Sequence, residues 1–424
     1  MRGAFYGWWL VGVASFAMAL SSVPLFHGMA VWVVALEHQF KWTPTQLGLA
    51  LAFTRFEGGI MGPVEGYMTD RFGTRTMVFL GLLTMSAGFF LFGHVHSLWM
   101  FYLAFVIISL GHSLGGFLPL MTMLNHWFVR HRAAAMGWSQ AGNRLGAIIL
   151  VPAIAWAIDP RYDYIGWESC AFILSGFMLL MAFVIPRLLR NHPADLNLLP
   201  DGDSPTTTAK TSPLSPTTPT LNFDSIREKP TDLTASQAVR TSAFWLISFG
   251  HGFTAMVVLA ITGHLGLMLK DKGFDIQTTG WIIGIYAAVS MVFTIVGGHV
   301  GDRMPKNVGI FIFTSILSGS VIVLTFSQNL SMMYLFAILF GIGWGGRAPL
   351  TMAIRGDYFG SSAYAKILGI SMVPMNSLLL IASPFAGLMR DMFGTYTFAF
   401  LPMAILSFLG GVLMLIAKKP IPKP

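Results

Sequence analysis

The stretch Gly66–Arg75 reads GYMTDRFGTR, and GHVGDRMPKN runs from Gly298 to Asn307. Both set a glycine four residues ahead of an Asp-Arg pair, and the two glycines lie 232 positions apart (298 − 66). The same offset relates Asp70 to Asp302, Arg71 to Arg303, Gly137 to Gly369, Pro152 to Pro384 and Asp159 to Asp391. Self-similarity sustained at one offset over this much chain marks a duplicated unit.

Composition says where the two units sit. Of 424 residues, 54% are hydrophobic and 10% charged, with a mean hydropathy of +0.67; a soluble domain carries about 25% charged residues. Apolar runs occupy 5–35, 44–68, 76–94, 97–127, 133–158 and 167–189, then 242–269, 276–299, 307–327, 330–357, 364–389 and 394–417. Each approaches or exceeds the roughly 20 residues that cross a bilayer as a helix. The expected fold is an all-α membrane protein of twelve transmembrane helices in two pseudo-symmetric six-helix halves, related by an axis along the membrane normal. The first run, after Arg2, resembles a signal peptide but stays apolar well past the usual length, so it reads as a retained span. The net charge of +8 does not indicate a nucleic-acid partner, because the basic residues fall in loops between spans and not on a soluble face. Cys170 is alone, which excludes an internal disulfide.

With the N-terminus inside, seventeen Lys and Arg residues fall in inside loops and tails and five outside, while four arginines lie within spans. That excess places both termini in the cytoplasm. Residues 191–240 contain SPTTTAKTSPLSPTTPT, with no apolar periodicity, and read as a flexible cytoplasmic linker. The expected domains are 1–190, the linker 191–240 and 241–424. A plain tether and a phosphorylated control segment are both compatible with that composition.

The first loop copy resembles the signature of the major facilitator superfamily, supplied here by Gly66, Asp70, Arg71, Gly73 and Arg75. The second copy lacks the later glycine and has Lys306 near the place of the last arginine. As physics, Gly66 permits a close helix approach, and Asp70 is an anion able to sit at a facing helix N-terminus. Arg71 and Arg75 can pair with carboxylates or lipid phosphates. The resemblance implies that Asp70, Asp302 and Arg303 belong to a cytoplasmic gate between the halves. Further stretches, FYGWWLVG, NHWFVRHRAAAMGWSQAGNRLG, RNHPADLNLLPDG and AIRGDYFG, resemble the bacterial oxalate/formate antiporter and monocarboxylate porter branch. The eighth span has no basic residue, and the first and eleventh have no lysine at mid-depth. The branch's carboxylate-binding residues are therefore not carried over.

Four charged positions at depth remain to be explained, because an arginine at the centre of a span costs about 2.5–3.5 kcal/mol on insertion scales and faces a cavity or a partner. Arg55, Arg144 and Arg347 lie near the middle of the second, fifth and tenth spans, and Arg347 has Gly115 at the equivalent place in the other half. They are the candidate anion ligands, although Arg144 and Arg347 could equally form structural pairs. Glu57 is two positions from Arg55 and points to another face. It is either an arginine's partner or a proton carrier. An imidazole ordinarily titrates near neutrality, so His27, His112, His251 and His264 are candidate proton carriers, with His112 the leading candidate for substrate binding and proton coupling. Arg355 lies nearer the cytoplasmic end, where it can snorkel, and with Glu65 and Asp357 suits a gate pair.

No zinc-type ligand spacing, phosphate loop or nucleophile elbow appears, so neither an enzyme, a cofactor nor a metal is expected. The expected function is secondary active transport of a small organic anion, chiefly a carboxylate, by alternating access with proton symport. Anion exchange, a nitrate-type inorganic porter, and a transporter-like sensor using the linker as output are the rivals. The expected partners are the anion and membrane lipids, with the chain a monomer in the plasma membrane.

Overall fold

A computed structural model describes residues 5–28, 32, 35–36, 39–42, 44–158, 165–203, 232–274 and 276–420, with backbone alone at 26–27, 44–60, 270, 276–277 and 279–280. Among the described residues there are twelve long helices. The first, α1 (Tyr6–Ser22), ends in a π turn, Val23–His27, where Pro24 lacks the N–H that would continue an α-helix. Pro44–Phe92 is continuous except at Gly73, whose φ of 77° and ψ of 159° divide it into α2, 44–72, and α3, 74–92. Positive φ is open to glycine, and a Cβ here would lie 2.3 Å from Asn191 Nδ2. In the second half Pro305 occupies the equivalent position, so the same turn is made by a helix stop.

The fourth span, expected as one rod, is broken at Gly116 into Leu98–Gly115 and Phe117–Trp127, together α4. Next come α5 (Arg132–Ile158) and α6 (Trp167–Leu188). The second half comprises α7 (Ser242–Asp271), α8 (Ile276–Arg303), α9 (Lys306–Phe326), α10 (Leu330–Phe359), α11 (Tyr364–Phe393) and α12 (Thr397–Ile416). Large apolar side chains such as Trp99, Ile149, Trp281 and Ile381 cover the outside, as lipid requires. Tyr6 donates to the carbonyl of Leu188 and Tyr358 to that of Ala417, so the start of α1 lies beside the end of α6, and the end of α10 beside that of α12.

One apolar core, including Leu10, Phe101, Trp127 and Met178, belongs to the first half; another, including Val257, Phe336 and Phe400, belongs to the second. The first core also takes in Met352, Ala365 and Leu368 from α10 and α11. The halves therefore pack closely at the end where α2 turns into α3. There α2 meets α11 and α8 meets α5 through small residues. A Cβ on Gly66 would lie 2.4 Å from the carbonyl oxygen of Ala365, and one on Gly298 would lie 2.7 Å from that of Ala133. These pairs are images of each other under the 232-residue offset. Backbone approach of this kind is how helices associate in lipid.

Parts of the expected linker are folded. Residues 191–203 form two short 3-10 turns, Pro193–Leu196 and Pro200–Gly202, and Ala235–Val239 is a short capped helix leading into α7. The rest, 204–231, lies outside the described residues.

Candidate functional site

Two arginines, one half-buried and one buried, come from opposite halves. Arg144, midway along α5, donates to Ser290 Oγ of α8, and its guanidinium carbon stands 4.9 Å from the centre of the Trp344 ring on α10. Arg347, one helical turn after Trp344, is 5% exposed, and its Nε has no hydrogen-bond partner. Among the described side chains, neither is ion-paired with a carboxylate. An unpaired guanidinium is expensive to hold away from water. Two guanidiniums from facing halves, with no carboxylate partner among the described side chains, make a site that favours an anion.

Arg355 departs from expectation. It is 1% exposed and turned inward, not snorkelling. Its Nη2 donates to Ser371 Oγ of α11 at 2.7 Å and Nη1 donates to the carbonyl of Thr351. Nη2 also lies 3.3 Å from Nδ1 of His251 on α7. Guanidinium has no acceptor, so His251 Nδ1 must be unprotonated and the ring neutral in this arrangement. These partners satisfy the cation inside the protein, which removes the drive to reach headgroups. His112 is half-buried beside the Gly116 break. The side chains of Arg55, Glu57 and His27 lie outside the described residues.

The closed end is held by a second set of charges. Asp302 accepts from the backbone N–H of Ala133 (2.9 Å) and Ala134 (3.0 Å), at the start of α5. Asp70 accepts from Lys366 N (3.3 Å), at the start of α11. Each aspartate thus caps the helix N-terminus of the other half, where unpaired N–H groups and the dipole favour an anion. Asp357 accepts from Arg132 and also pairs with Lys306 at 2.6 Å. Gly356 makes room for this, since a Cβ there would lie 2.8 Å from the Arg132 guanidinium. Arg71 and Arg75, expected to pair with carboxylates or lipid phosphates, have no carboxylate partner among the described residues. Arg71 donates to Tyr67 Oη, and the Arg75 side chain is exposed, as is that of Arg303.

Sequence reading passed over Trp344, Ser290, Ser371 and Arg132. For Trp344 there was a usable signal, since its position three residues before Arg347 puts both on one helix face.

A family model described as Major Facilitator Superfamily matches residues 7–307 and 244–424. The chain is 22% identical over 425 residues to Monocarboxylate transporter 2 of Mus musculus, covering 97% of this chain and 84% of that one. It is 23% identical to Monocarboxylate transporter 12 of Rattus norvegicus, covering 97% and 86%. Among solved structures, the E. coli fucose:proton symporter superposes with a TM-score of 0.72 at 13% identity, covering 97% of this chain and 98% of that one. A structure of FucP in the outward conformation gives 0.71 at 12% identity. Duplicated halves, crossed aspartate caps and a whole-chain family match agree, and the chain belongs to the Major Facilitator Superfamily of membrane transporters, not to an enzyme family.

Proposed function

We propose that the protein moves a small organic anion, chiefly a carboxylate, by alternating access, with Arg144 and Arg347 as the ligands that each half contributes. The observation that carries this reading is the meeting of a half-buried and a buried guanidinium from opposite halves, neither ion-paired with a carboxylate among the described side chains. Arg is suited to the task because its planar fork meets a carboxylate through two N–H groups. The relatives named as monocarboxylate transporters support the same substrate class.

In this reading the closed end is the cytoplasmic gate. Gly66, Asp70, Arg71, Gly73, Arg75, Asp302, Arg303, Arg355 and Asp357 are gate residues, and both termini with segment 191–240 face the cytoplasm of a plasma-membrane monomer. The halves are 1–190 and 241–424. Arg55, Glu57 and His112 complete the proposed site, with Glu57 or His112 carrying a proton taken up with the anion. Anion exchange is the second reading, favoured by His251, whose Nδ1 is occupied by Arg355 and not poised to take a proton.

Proteoliposomes test both readings. Labelled carboxylates should accumulate, and an inward proton gradient should drive symport, whereas exchange should require unlabelled anion inside. Absence of carboxylate movement under either condition, with folded protein, would contradict the proposal.

A further inference from the structure

The folded ends of segment 191–240 touch the loops leading into α5 and α11. Asp201 accepts from three successive backbone N–H groups, those of Val129 (3.1 Å), Arg130 (2.8 Å) and His131 (3.3 Å). Its side chain is 2% exposed. At the other end of the segment, Asp232 accepts from Ser361 N (3.2 Å) and Ser362 N (3.1 Å). Residues 129 and 130 become 361 and 362 under the 232-residue offset. Two aspartates outside the duplicated helices therefore grip equivalent backbone in the two halves.

The backbone is shaped for this grip. Asp201 has φ 60° and ψ 6°, a left-handed conformation that a non-glycine residue holds only when its surroundings impose it. Gly360, with φ 88°, lets Asp232 approach, since a Cβ there would lie 1.8 Å from its Oδ1. Consecutive N–H groups converging on one carboxylate form a concave anion cradle.

Each lead-in loop is held by two aspartates of different attachment. Asp302 and Asp70 come from the opposite half and must let go whenever this end opens. Asp201 and Asp232 come from the segment between the halves, each from the end that is fixed to the half carrying its loop. The segment carrying Asp201 is fixed to the first half through Asn191, which accepts from Arg75 N, and through the contact of Gly202 with Phe5. That carrying Asp232 is fixed to the second half by Leu233 N donating to Phe359 O.

We propose that Asp201 and Asp232 are positioning residues of the gate: they keep the loops leading into α5 and α11 in the shape that receives Asp302 and Asp70, and so set the fraction of protein closed at this end. The proposal rests on the alternating-access reading above. A loop held through the open state presents its N–H groups without reorganisation when the halves return.

The test uses full-length protein with nitroxide labels at Arg187→Cys and Lys418→Cys in a Cys170→Ala background, reporting the distance across the closed end by pulsed dipolar spectroscopy. Asp201→Asn and Asp232→Asn should each raise the ratio of long to short distances about tenfold, the scale of one or two hydrogen bonds to a charged acceptor. Asp203→Asn, which removes an exposed ion pair with Arg130, should leave the ratio unchanged. Hydrogen exchange on the Asp70→Asn, Asp302→Asn double variant, whose linker aspartates are intact, gives a check that needs neither Asp201 nor Asp232 altered. The amides of 129–131 and 361–362 should stay protected there while those of 133, 134 and 366 lose protection. Joint loss of both sets would overturn the proposal, as would folded Asp201→Asn and Asp232→Asn variants with unmoved distances. Should the double variant also leave the distance unmoved, the gate reading itself fails and the proposal with it.

Discussion

Arg132, the first residue of α5, donates to Asp357, close to the end of α10, and so ties the two halves together through a guanidinium that is 4% exposed. Its Nε also donates to the carbonyl of Phe128 at 3.2 Å, so the cation is fixed in one orientation. The bond must break when this end of the bundle opens.

Removing the carboxylate leaves that buried cation without its counter-charge, and breaking one partner of such a pair costs about 3 kcal/mol or more. Asp357→Asn should therefore lower the thermal midpoint of the purified protein and leave the closed end more often open. Thermal unfolding checks this directly; an unchanged midpoint would show that the pair contributes nothing.

Glycine at the crossed contacts predicts a sharp contrast. Gly66→Ala and Gly298→Ala would each drive a methyl group into backbone, where side-chain adjustment gives no relief. Overpacking of this kind costs about 1–3 kcal/mol. Gly284→Ala, on α8 with nothing within 4 Å of its added Cβ, should be neutral or slightly stabilising. Transport rate and midpoint measured on all three should separate the first two from the third.

Trp344 holds the Arg144 guanidinium by a contact worth about 2 kcal/mol when desolvated. Trp344→Leu keeps the bulk apolar and removes the ring face. The KM for the transported anion should rise roughly threefold to tenfold with little change in maximal rate, a split that uptake kinetics resolve.

Ser371 receives two N–H groups of Arg355, at 3.1 and 2.7 Å, and its Oγ also hydrogen-bonds to Ser248 Oγ at 2.9 Å. Ser371→Ala should strand them inside the protein at a cost of about 1–3 kcal/mol. Equilibrium unfolding of the variant checks this, and a polar replacement, Ser371→Thr, should recover part of the loss.

How much of this was legible beforehand depended on the kind of signal. The apolar runs, the 232-residue offset and the paired Gly-x-x-x-Asp-Arg loops are periodic and local, so twelve helices and the crossed caps of Asp70 and Asp302 could be read from the chain. Arg144 and Arg347 were visible because a charge inside an apolar run is conspicuous. Their surroundings were not. Ser290 and Trp344 are ordinary residues of apolar helices until packing sets them beside a guanidinium from another helix. Arg355 looked like a surface cation because its distance from the span centre is a sequence fact, while its partners His251 and Ser371 come from helices more than a dozen residues away in the chain. Asp201 and Asp232 sat in what composition described as tether, where only tertiary contacts distinguish a structural aspartate from a solvated one.

Equilibrium binding to purified protein reaches the central claim most directly. Thermal midpoints should rise with increasing carboxylate concentration, since a ligand that binds only the folded state stabilises it by mass action. The account predicts that small carboxylates stabilise the parent protein, that neutral analogues of the same size do not, and that Arg144→Ala and Arg347→Ala each abolish the shift while remaining folded. Undiminished carboxylate stabilisation in both variants would contradict it.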